Sequence, residues 1–416
     1  MKGIRTVLTI VILCSLLASA QGDQTTVCDS DCNFTHIQPA ISASKNGDTI
    51  LIESGTYKEN LFIDKRLKIV GEEVTLHPSS LYVPTVQITS DDVILEGLKV
   101  TDSSTAIKVM NTEDVFVFNC TFSRNDIGVS ALGSQGINLV GNTFDLNRVH
   151  IMLQSTADTS IRQNKITGGF TGICVVDSEA VNATENNFRE VNVGAALENS
   201  AENEFSNNNF KQCDAGVYSI LSNDNQFSGN GVENTSLFLD LRLSAHNKIS
   251  RNSVENCTYS RTANSDNNFY TLENMNLSGK GFEFSLINPS LPEEYVNLSQ
   301  GINLTVSPPN STDEGQINLK ASVPTQKIVG FNLSSVGFYR LVDLELISNK
   351  TFQDDRVVIN ASVNQSGEYI LLAQKEENVD NKGENSYSTS TTTEGIMMLA
   401  VVIASIVVML YIIGKK

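Results

Sequence analysis

Basic residues are scarce in this 416-residue sequence, in which 29 Lys and Arg stand against 47 Asp and Glu, a formal net charge of −18. Nucleic acids and anionic lipid surfaces attract proteins rich in Lys and Arg, because each phosphate contact needs a positive charge. The acidic balance therefore argues against nucleic acid as a partner.

Histidine is scarce as well, and tryptophan is absent. A transition-metal site needs several imidazole or sulfur ligands that converge. No two of the histidines have the spacing of a ligand pair, and Met110 and Met152 are too few for a thioether site. We therefore expect neither a metal nor another cofactor. The four histidines are His36, His77, His150 and His246.

Long hydrophobic runs occur only near the two ends of the chain. Lys2 and Arg5 precede an apolar run that ends before the small residues Ala18-Ser19-Ala20, which predicts a signal peptide over residues 1–20. Residues 396–413 are almost entirely apolar and precede two lysines, which predicts a transmembrane helix over 395–414. The pattern indicates a single-pass cell-membrane protein with an extracellular N-terminal ectodomain.

Between these ends, residues 92–266 repeat with a period of 22 residues when Asp92 is taken as position 1. Position 9 is apolar in every repeat, and position 16 is apolar from Ile107 to Leu239 before ending at Arg261. A fixed period with stacked apolar columns is typical of a solenoid. Position 7 is asparagine in six successive repeats: Asn142, Asn164, Asn186, Asn208, Asn230 and Asn252.

The repeat predicts an all-β fold, a right-handed parallel β-helix over residues 27–275. A 22-residue repeat is too short for two helices, and its β-branched and aromatic residues alternate as in strands. We expect strands at positions 2–5, 8–10 and 14–19. The asparagines should lie at a bend, adopt the left-handed backbone conformation and form a structural ladder of stacked amides.

The segment before the repeat predicts a lid for the open end of the core. Ile37, Ala40 and Ile41 share one face of a short helix over residues 36–44, and a repeat protein requires such a cap. Cys28 and Cys32 are close enough in sequence for a local disulfide in an exported chain.

Residues 36–71 resemble the entry segment of secreted, carbohydrate-associated β-helix proteins. The resemblance is to the NosD-like group and, behind it, the pectin-lyase-like superfamily, and it extends to about residue 275. It implies the β-helix fold, with functions that range from sugar hydrolases, lyases and epimerases to surface adhesins and a copper-delivery accessory factor. The matching positions are Ile37, Ala40, Ile41, Gly47, Asp48, Ile50, Gly55, Tyr57, Glu59, Ile63, Lys65, Leu67, Ile69 and Gly71.

After residue 275 the asparagine period stops, and alternating strands predict an Ig-like β-sandwich over 276–374. We expect strands over 282–286, 302–306, 317–321, 342–347, 357–363 and 369–373. The charged, then Ser/Thr-rich residues 375–394 are typical of a stalk. Sequons are dense in this region and predict N-glycosylation at Asn276, Asn297, Asn303, Asn310, Asn332, Asn349, Asn360 and Asn364.

The outward positions of the third strand, 17 and 19, are unexpectedly apolar, whereas the outward positions of the first strand are polar in the later repeats. A stacked apolar strip usually marks an interface. The partner is either the C-terminal sandwich folded back over it, an external molecule or a second copy of the chain. The predicted contact residues are Met110, Leu132, Met152, Val176, Tyr218 and Ile220.

These features favour a surface-anchored binding or structural protein, such as an adhesin, with a polysaccharide or a surface protein as its partner. One alternative is a polysaccharide lyase or glycoside hydrolase, for which only Asp240, Arg242 and Glu198 are available on the third strand. No convincing cluster of a base or paired carboxylates is present, so we expect no catalytic residue. Another alternative is an accessory factor for copper-enzyme maturation, which rests on the resemblance alone.

Overall fold

The computed structural model describes residues 22–376, except 264, 266, 273–274, 280–281, 307–316 and 354. It is an all-β, right-handed parallel solenoid of about 11 turns that continues into antiparallel sheets. The predicted signal peptide, nearly all of the stalk and the predicted transmembrane helix lie outside the described residues. Within the described part of the chain, no helix has the length and apolarity needed to cross a membrane.

Each coil contributes three parallel strands, and equivalent residues of successive coils are paired, as Phe122 with Phe144 and Val129 with Ile151. First strands are Ile94–Thr101 (which also forms the second strand of its coil), Phe116–Phe118, Asn138–Val140, Ser160–Arg162, Asn182–Thr184, Glu204–Ser206, Gln226–Ser228, Lys248–Ser250 and Asn268–Leu272. Second strands are Thr121–Ser123, Thr143–Asp145, Lys165–Thr167, Asn187–Arg189, Asn209–Lys211, Gly231–Glu233 and Ser253–Glu255. Third strands are Thr105–Met110, Ile127–Leu132, Val149–Gln154, Thr171–Val176, Val193–Glu198, Ala215–Ile220, Leu237–Arg242 and Thr258–Ala263.

The core is a column of apolar side chains that alternate inward along these strands. Equivalent aromatic rings stack on one another, with 4.7 Å between the ring centroids of Phe188 and Phe210. The last coil is one residue shorter at its third strand, where Leu239 pairs with Ser260 and Asp240 with Arg261. The sequence assignment of Arg261 to position 16 was therefore wrong, because a single deletion turns this side chain outward.

The bends between strands use left-handed backbone conformations at positions 1, 6, 11 and 20. The asparagine ladder does not occupy these positions: the left-handed residues are its immediate predecessors, such as Glu185 (φ 57°) and Asn207 (φ 55°). The predicted reason for the asparagines was therefore wrong. Position 6 accepts Glu, Gln or Arg, whereas position 7 requires an amide because of the hydrogen bonds that it makes.

Every polar atom of a mid-ladder amide is satisfied. The Asn186 side chain donates to Asn208 Oδ1 at 3.0 Å and to the carbonyl oxygen of Ile161 at 2.8 Å. Its own Oδ1 accepts from the backbone N–H of Asn164 at 3.0 Å and from the Asn164 side chain at 2.9 Å. Asn186 is 1% exposed. One buried side chain thus joins three successive coils.

Three further ladders were not predicted from the sequence. A short one lies at the bend between the second and third strands, where Asn125 N–H donates to Asn147 Oδ1 at 3.0 Å, and two flank the bend between the third and first strands. At position 21, Ser178 N–H donates to Ser200 Oγ at 3.1 Å, and at position 2, Asn203 N–H donates to Asn225 Oδ1 at 2.9 Å. Their common feature, a small polar residue every 22 positions, is visible in the sequence. The ladder members are Ser134, Thr156, Ser178, Ser200, Ser222, Ser244 and Ser265 at position 21, and Asn203, Asn225, Asn247 and Asn268 at position 2.

The N-terminal end of the core is covered by the helix Ile37–Ala43, whose residues Ile37, Ala40 and Ile41 are buried. Glu59 accepts hydrogen bonds from the backbone N–H groups of Ile37 and Gln38, both at 2.9 Å. These N–H groups have no partner within the helix, so the carboxylate completes the cap. Strands in this region are Gln24–Val27, Thr49–Ile52, Gly55–Lys58, Leu61–Ile63, Lys68–His77 and Val86–Ile88.

The C-terminal strands continue the two solenoid sheets by antiparallel pairing, starting with Phe269–Ser278 in one sheet and Arg261–Glu283 in the other. The strand expected over 342–347 is mostly a turn, since only Glu345–Leu346 is extended, and the strand Phe331–Arg340 was missed. The remaining strands are Met275–Gly279, Phe282–Ile287, Tyr295–Asn297, Gly301–Val306, Ile317–Pro324, Asn349–Phe352, Arg356–Val363 and Gly367–Lys375, with one 3-10 turn at Thr325–Ile328.

We predict that Asn186→Ala lowers the free energy of unfolding by about 3 kcal/mol, because it leaves buried donors and acceptors of three coils without partners. The exposed neighbour Asn187 is the matched control, and Asn187→Ala should change stability by less than about 0.5 kcal/mol. Urea unfolding of the two variants measures the difference. Equal stability of the two variants would contradict a structural role of the ladder.

Candidate functional site: the outward face of the third strands

The six predicted contact residues lie together on one face of the solenoid, at positions 17 and 19 of the third strands. Strand alternation buries positions 16 and 18, as in Ile173 and Val175, and turns the intervening side chains outward. All six are half-exposed, and together they form what we call the apolar strip: Met110, Leu132, Met152, Val176, Tyr218 and Ile220.

The C-terminal strands do not lie over the apolar strip. They extend the same sheet along its pairing direction, so that Arg261 pairs with Glu283 and Glu283 with Thr305. The strip therefore stays open to solvent in the described part of the chain.

A cluster of charged residues closes the C-terminal end of the strip. Asp240 is 3% exposed, and its carboxylate accepts hydrogen bonds from Arg242 at 2.9 and 3.2 Å and from Arg261 at 2.5 and 3.4 Å. The guanidinium of Arg242 lies 5.1 Å from the ring centroid of Tyr218, a cation–π contact. Both arginine side chains remain 45% exposed.

The electrostatics of this cluster favour anion binding over acid catalysis. Burial alone would raise the pKa of Asp240, but the hydrogen bonds from Arg261 and Arg242 outweigh it and hold the pKa below its usual range. The carboxyl group is therefore ionised at neutral pH and cannot act as a general acid. Among these three residues, two arginines against one aspartate leave one positive charge in excess, and Glu283 lies opposite Arg261 on the next strand. The guanidinium groups of both arginines remain partly exposed to solvent.

A second carboxylate, that of Glu283, lies on the same face beyond Arg261, but Asp240 is engaged by two arginines and cannot supply the acid of a hydrolytic pair. Glu198, a further acidic side chain on this face, is exposed and lies two coils away. Glycoside hydrolysis requires two carboxyl groups that flank one bond. In the described residues of this face, the arrangement supports binding and gives no pair of acid and base.

The histidines do not converge. Burial lowers the pKa of His150 to about 4, although its hydrogen bond to the Gly168 carbonyl acts in the opposite direction. Its Nδ1 lies 3.0 Å from Asn147 Nδ2 and its Nε2 lies 2.8 Å from that carbonyl oxygen. An amide NH₂ can only donate and a carbonyl can only accept, so we assign the proton to Nε2. Both ring nitrogens are occupied, which leaves none for a metal.

One group of potential ligands does come together in the described part of the chain: Cys28, Cys32 and Glu53. Cys28 and Cys32, however, form a disulfide. Disulfide sulfurs are not the thiolates that transition metals require. This group therefore has no metal-binding capacity while the disulfide is intact.

We predict that His150 makes the folded state sensitive to acid. Its pKa of about 4 lies below the ordinary value near 6.5, so only the unfolded state takes up a proton between these values. The stabilisation is complete above pH 6.5 and is lost as the pH falls towards 4, a loss of about 3 kcal/mol. Urea unfolding between pH 7 and 4 should show a shallower dependence for His150→Asn, and identical slopes would contradict this assignment.

The four remaining described cysteines are unpaired, as the sequence positions predicted. Burial raises the pKa of Cys120 and Cys257 to about 12 and that of Cys213 to about 11, and it also raises the pKa of Cys174. The thiolate is the reactive form, so these groups should react slowly in the folded protein.

We predict that titration of the denatured, unreduced chain without its signal peptide detects four thiols, because Cys28 and Cys32 are joined. The folded protein should react much more slowly at pH 7. A count of zero or two in the denatured sample would show that further disulfides form.

Sequon asparagines and ladder asparagines occupy separate environments. Seven of the eight predicted glycosylation sites are exposed, and the eighth, Asn310, lies outside the described residues. The five sequons closer to the N-terminus are exposed as well, at Asn33, Asn119, Asn182, Asn234 and Asn256. No sequon lies on a third strand.

Sequence reasoning placed Asp240 and Arg242 side by side but missed Arg261. The missing signal was the one-residue deletion in the last coil, which moves Arg261 onto the same outward column as Asp240. The Asp240 carboxylate, available for catalysis by its sequence position, is buried and shared by two arginines.

A solenoid of stacked coils, each with three parallel strands, defines the class of parallel β-helix proteins. The sequence matches the family described as right-handed beta helix region over residues 27–188, 84–232 and 151–286. The chain belongs to this family. No curated protein matches the sequence.

Similar solved structures include enzymes that act on polysaccharides. A polygalacturonase from Erwinia carotovora ssp. carotovora is 10% identical, with 60% of this chain and 95% of that chain covered and a TM-score of 0.42. A family 28 exopolygalacturonase from Yersinia enterocolitica is 10% identical, with 60% and 78% covered and a TM-score of 0.43. A periplasmic alginate epimerase mutant is 16% identical, with 49% and 61% covered and a TM-score of 0.38.

Proposed function

We propose that this protein is displayed at the cell surface and binds an extracellular partner along the outward face of its third strands. The observation that carries the proposal is the half-exposed apolar strip, which ends at the Arg242–Asp240–Arg261 cluster. Apolar side chains on a solvent-exposed face add no stability to the folded chain. A contiguous strip of them is typical of an interface.

Display at the cell surface is supported by the two ends of the sequence. The predicted signal peptide over 1–20 would export the chain, and the predicted membrane helix over 395–414 would anchor it through the stalk over 375–394. The strands over 276–374, proposed from sequence as an Ig-like sandwich, would separate the solenoid from the membrane.

Glycosylation fits the same location. N-linked glycans require an exposed Asn-x-Ser/Thr, and all twelve described sequon asparagines are exposed while the buried ladder asparagines are outside sequons. We propose that glycans cover the C-terminal strands and parts of the first and second bends. The third-strand face, which has no sequon, would remain free for a partner.

The chemistry of the face favours an acidic, extended partner such as an acidic polysaccharide, with a surface protein as the other candidate. Arg242 and Arg261 offer charge-assisted hydrogen bonds to carboxylate or sulfate groups. Tyr218 and Val176 offer apolar contact to the parts of the chain between those groups. The stacked coils present apolar side chains of this kind repeatedly along the solenoid.

Catalysis on the same polysaccharide is the second candidate, and the fold is compatible with it. Asp240 is ionised and fully engaged by two arginines, and Glu198 is two coils away, so binding without cleavage is favoured. A role in copper-enzyme maturation would require converging metal ligands. The histidines among the described residues do not converge, so this role is not favoured either.

The test is to incubate the full-length chain with a glycan array and with soluble uronate polymers. Retention without shortening of the polymers supports binding, whereas cleavage products would support the enzyme. Neither retention nor cleavage, together with no self-association, would overturn the proposed function.

We predict that Val176→Glu weakens retention of the uronate polymer at least tenfold, because a negative charge replaces the centre of the apolar strip and repels the acidic groups of the polymer. The side chain is half-exposed, so the melting temperature should change little. Thr184→Glu, on the outward face of a first strand, is the matched control and should bind as the natural chain does. Equal affinities for the two variants would exclude the strip as the contact surface.

A further inference from the structure

A second concave surface lies at the bend between the second and third strands, away from the apolar strip. In the first four coils, the side chains at positions 11 and 13 form two parallel ridges, and position 12 forms the floor between them. The groove has a volume of about 670 Å³, within the range of ligand sites in proteins. Its lining includes Leu81, Asp102, Arg124, Asp126, Leu146, Arg148 and Phe170.

The charges of the two ridges cancel. On one ridge, Arg124 donates to the two carboxylate oxygens of Asp102 at 2.9 and 3.2 Å. On the other ridge, Arg148 Nε lies 3.7 Å from Asp126 Oδ1. All four side chains are exposed. The groove thus offers many donors and acceptors but has no net charge from these two pairs.

Large apolar side chains stand between these charges and are left exposed. Leu81 and Leu146 are each 59% exposed, and Phe170 is 57% exposed. Such residues are normally turned away from water, and here three of them line one groove. The combination of apolar faces and neutral ion pairs is characteristic of a surface that contacts a ligand with both apolar and hydroxyl groups.

The Phe170 end of the groove is held from below by a buried hydrogen-bond chain. His150 Nε2 donates to the Gly168 carbonyl at 2.8 Å, and Asn147 links His150 Nδ1 to the carbonyl oxygen of Phe122. Gly169 has φ +76°, and a Cβ there would lie 1.9 Å from the Asn147 carbonyl oxygen and 2.9 Å from His150 Nε2. Only glycine at position 169 allows the backbone to lie this close to His150. This close approach fixes the position of the next residue, Phe170.

The opposite end is also tied to the coil. Ser104 Oγ donates to the carbonyl oxygen of Leu81 at 2.8 Å. This hydrogen bond fixes the turn that contains Leu81 next to the first ridge. Asn125 and Asn147 on the floor are buried, and Asn125 Nδ2 donates to Asn147 Oδ1 at 2.8 Å, while Asn147 Nδ2 donates to the Phe122 carbonyl oxygen. The groove is thus shaped by the folded chain before any ligand arrives, which reduces the entropy lost on binding.

We propose that this groove binds an uncharged oligosaccharide. The C–H faces of pyranose rings would pack on Phe170, Leu146 and Leu81, while their hydroxyls would exchange hydrogen bonds with the guanidinium and carboxylate groups of the ridges. A strongly anionic or cationic chain gains no net attraction from balanced pairs. The site is separate from the third-strand face and is independent of the function proposed for that face.

The test is to measure binding of the full-length chain to an array of neutral oligosaccharides, with an oligogalacturonate as the charged comparison. We expect retention of at least one neutral oligosaccharide, weakened at least tenfold by Phe170→Ala. Phe269→Ala is the matched control, because Phe269 is 53% exposed on the outward side of a first strand. This control should bind the neutral oligosaccharide as the natural chain does.

Leu146→Ser provides a second variant, and melting temperatures show that each variant is folded. If no neutral oligosaccharide is retained, or if both Phe170→Ala and Leu146→Ser bind as tightly as the natural chain, the proposal is overturned.

Discussion

The buried hydrogen bonds between coils are the constraint on which the rest of this structure depends. A solenoid turn must bend several times within 22 residues, and each bend exposes backbone groups that the strands cannot pair. Here the side chains of one coil satisfy the bend of the coil before it: Asn186 Oδ1 accepts from the backbone N–H of Asn164, and Asn208 Oδ1 accepts from that of Asn186. The bends can therefore be tight and identical, and the apolar core can remain continuous.

This arrangement separates the inward and ladder residues, which stabilise the solenoid, from the outward residues, which are exposed to solvent. Inward and ladder positions must repeat, because each side chain contacts its equivalent in the adjacent coil. Outward positions contact only solvent, so they can differ from coil to coil without loss of the fold. The apolar strip at Val176 and the groove at Phe170 both lie on outward positions, where the repeat does not determine the residue.

The two candidate sites differ in charge for a structural reason. On the third-strand face, the buried carboxylate of Asp240 is shared by Arg242 and Arg261, which leaves one positive charge in excess. At the bend between second and third strands, each arginine has its own aspartate, as in Arg124 with Asp102. The first arrangement suits acidic groups and the second suits hydroxyl groups, although both use the same residue types on one acidic protein.

The sequence by itself determined the period, the strand positions and the inward columns, because stacked coils must repeat their buried residues. It also determined that Asn186 and its equivalents form a ladder and that Val176 lies on an outward apolar strip. The tertiary structure alone decided which backbone positions are left-handed, since a bend at Glu185 places no demand on residue type. It also decided that Arg261 joins Asp240 and that Gly169 passes over His150 to present Phe170. These contacts depend on a one-residue deletion and on close packing between coils, and neither leaves a periodic signal in the sequence.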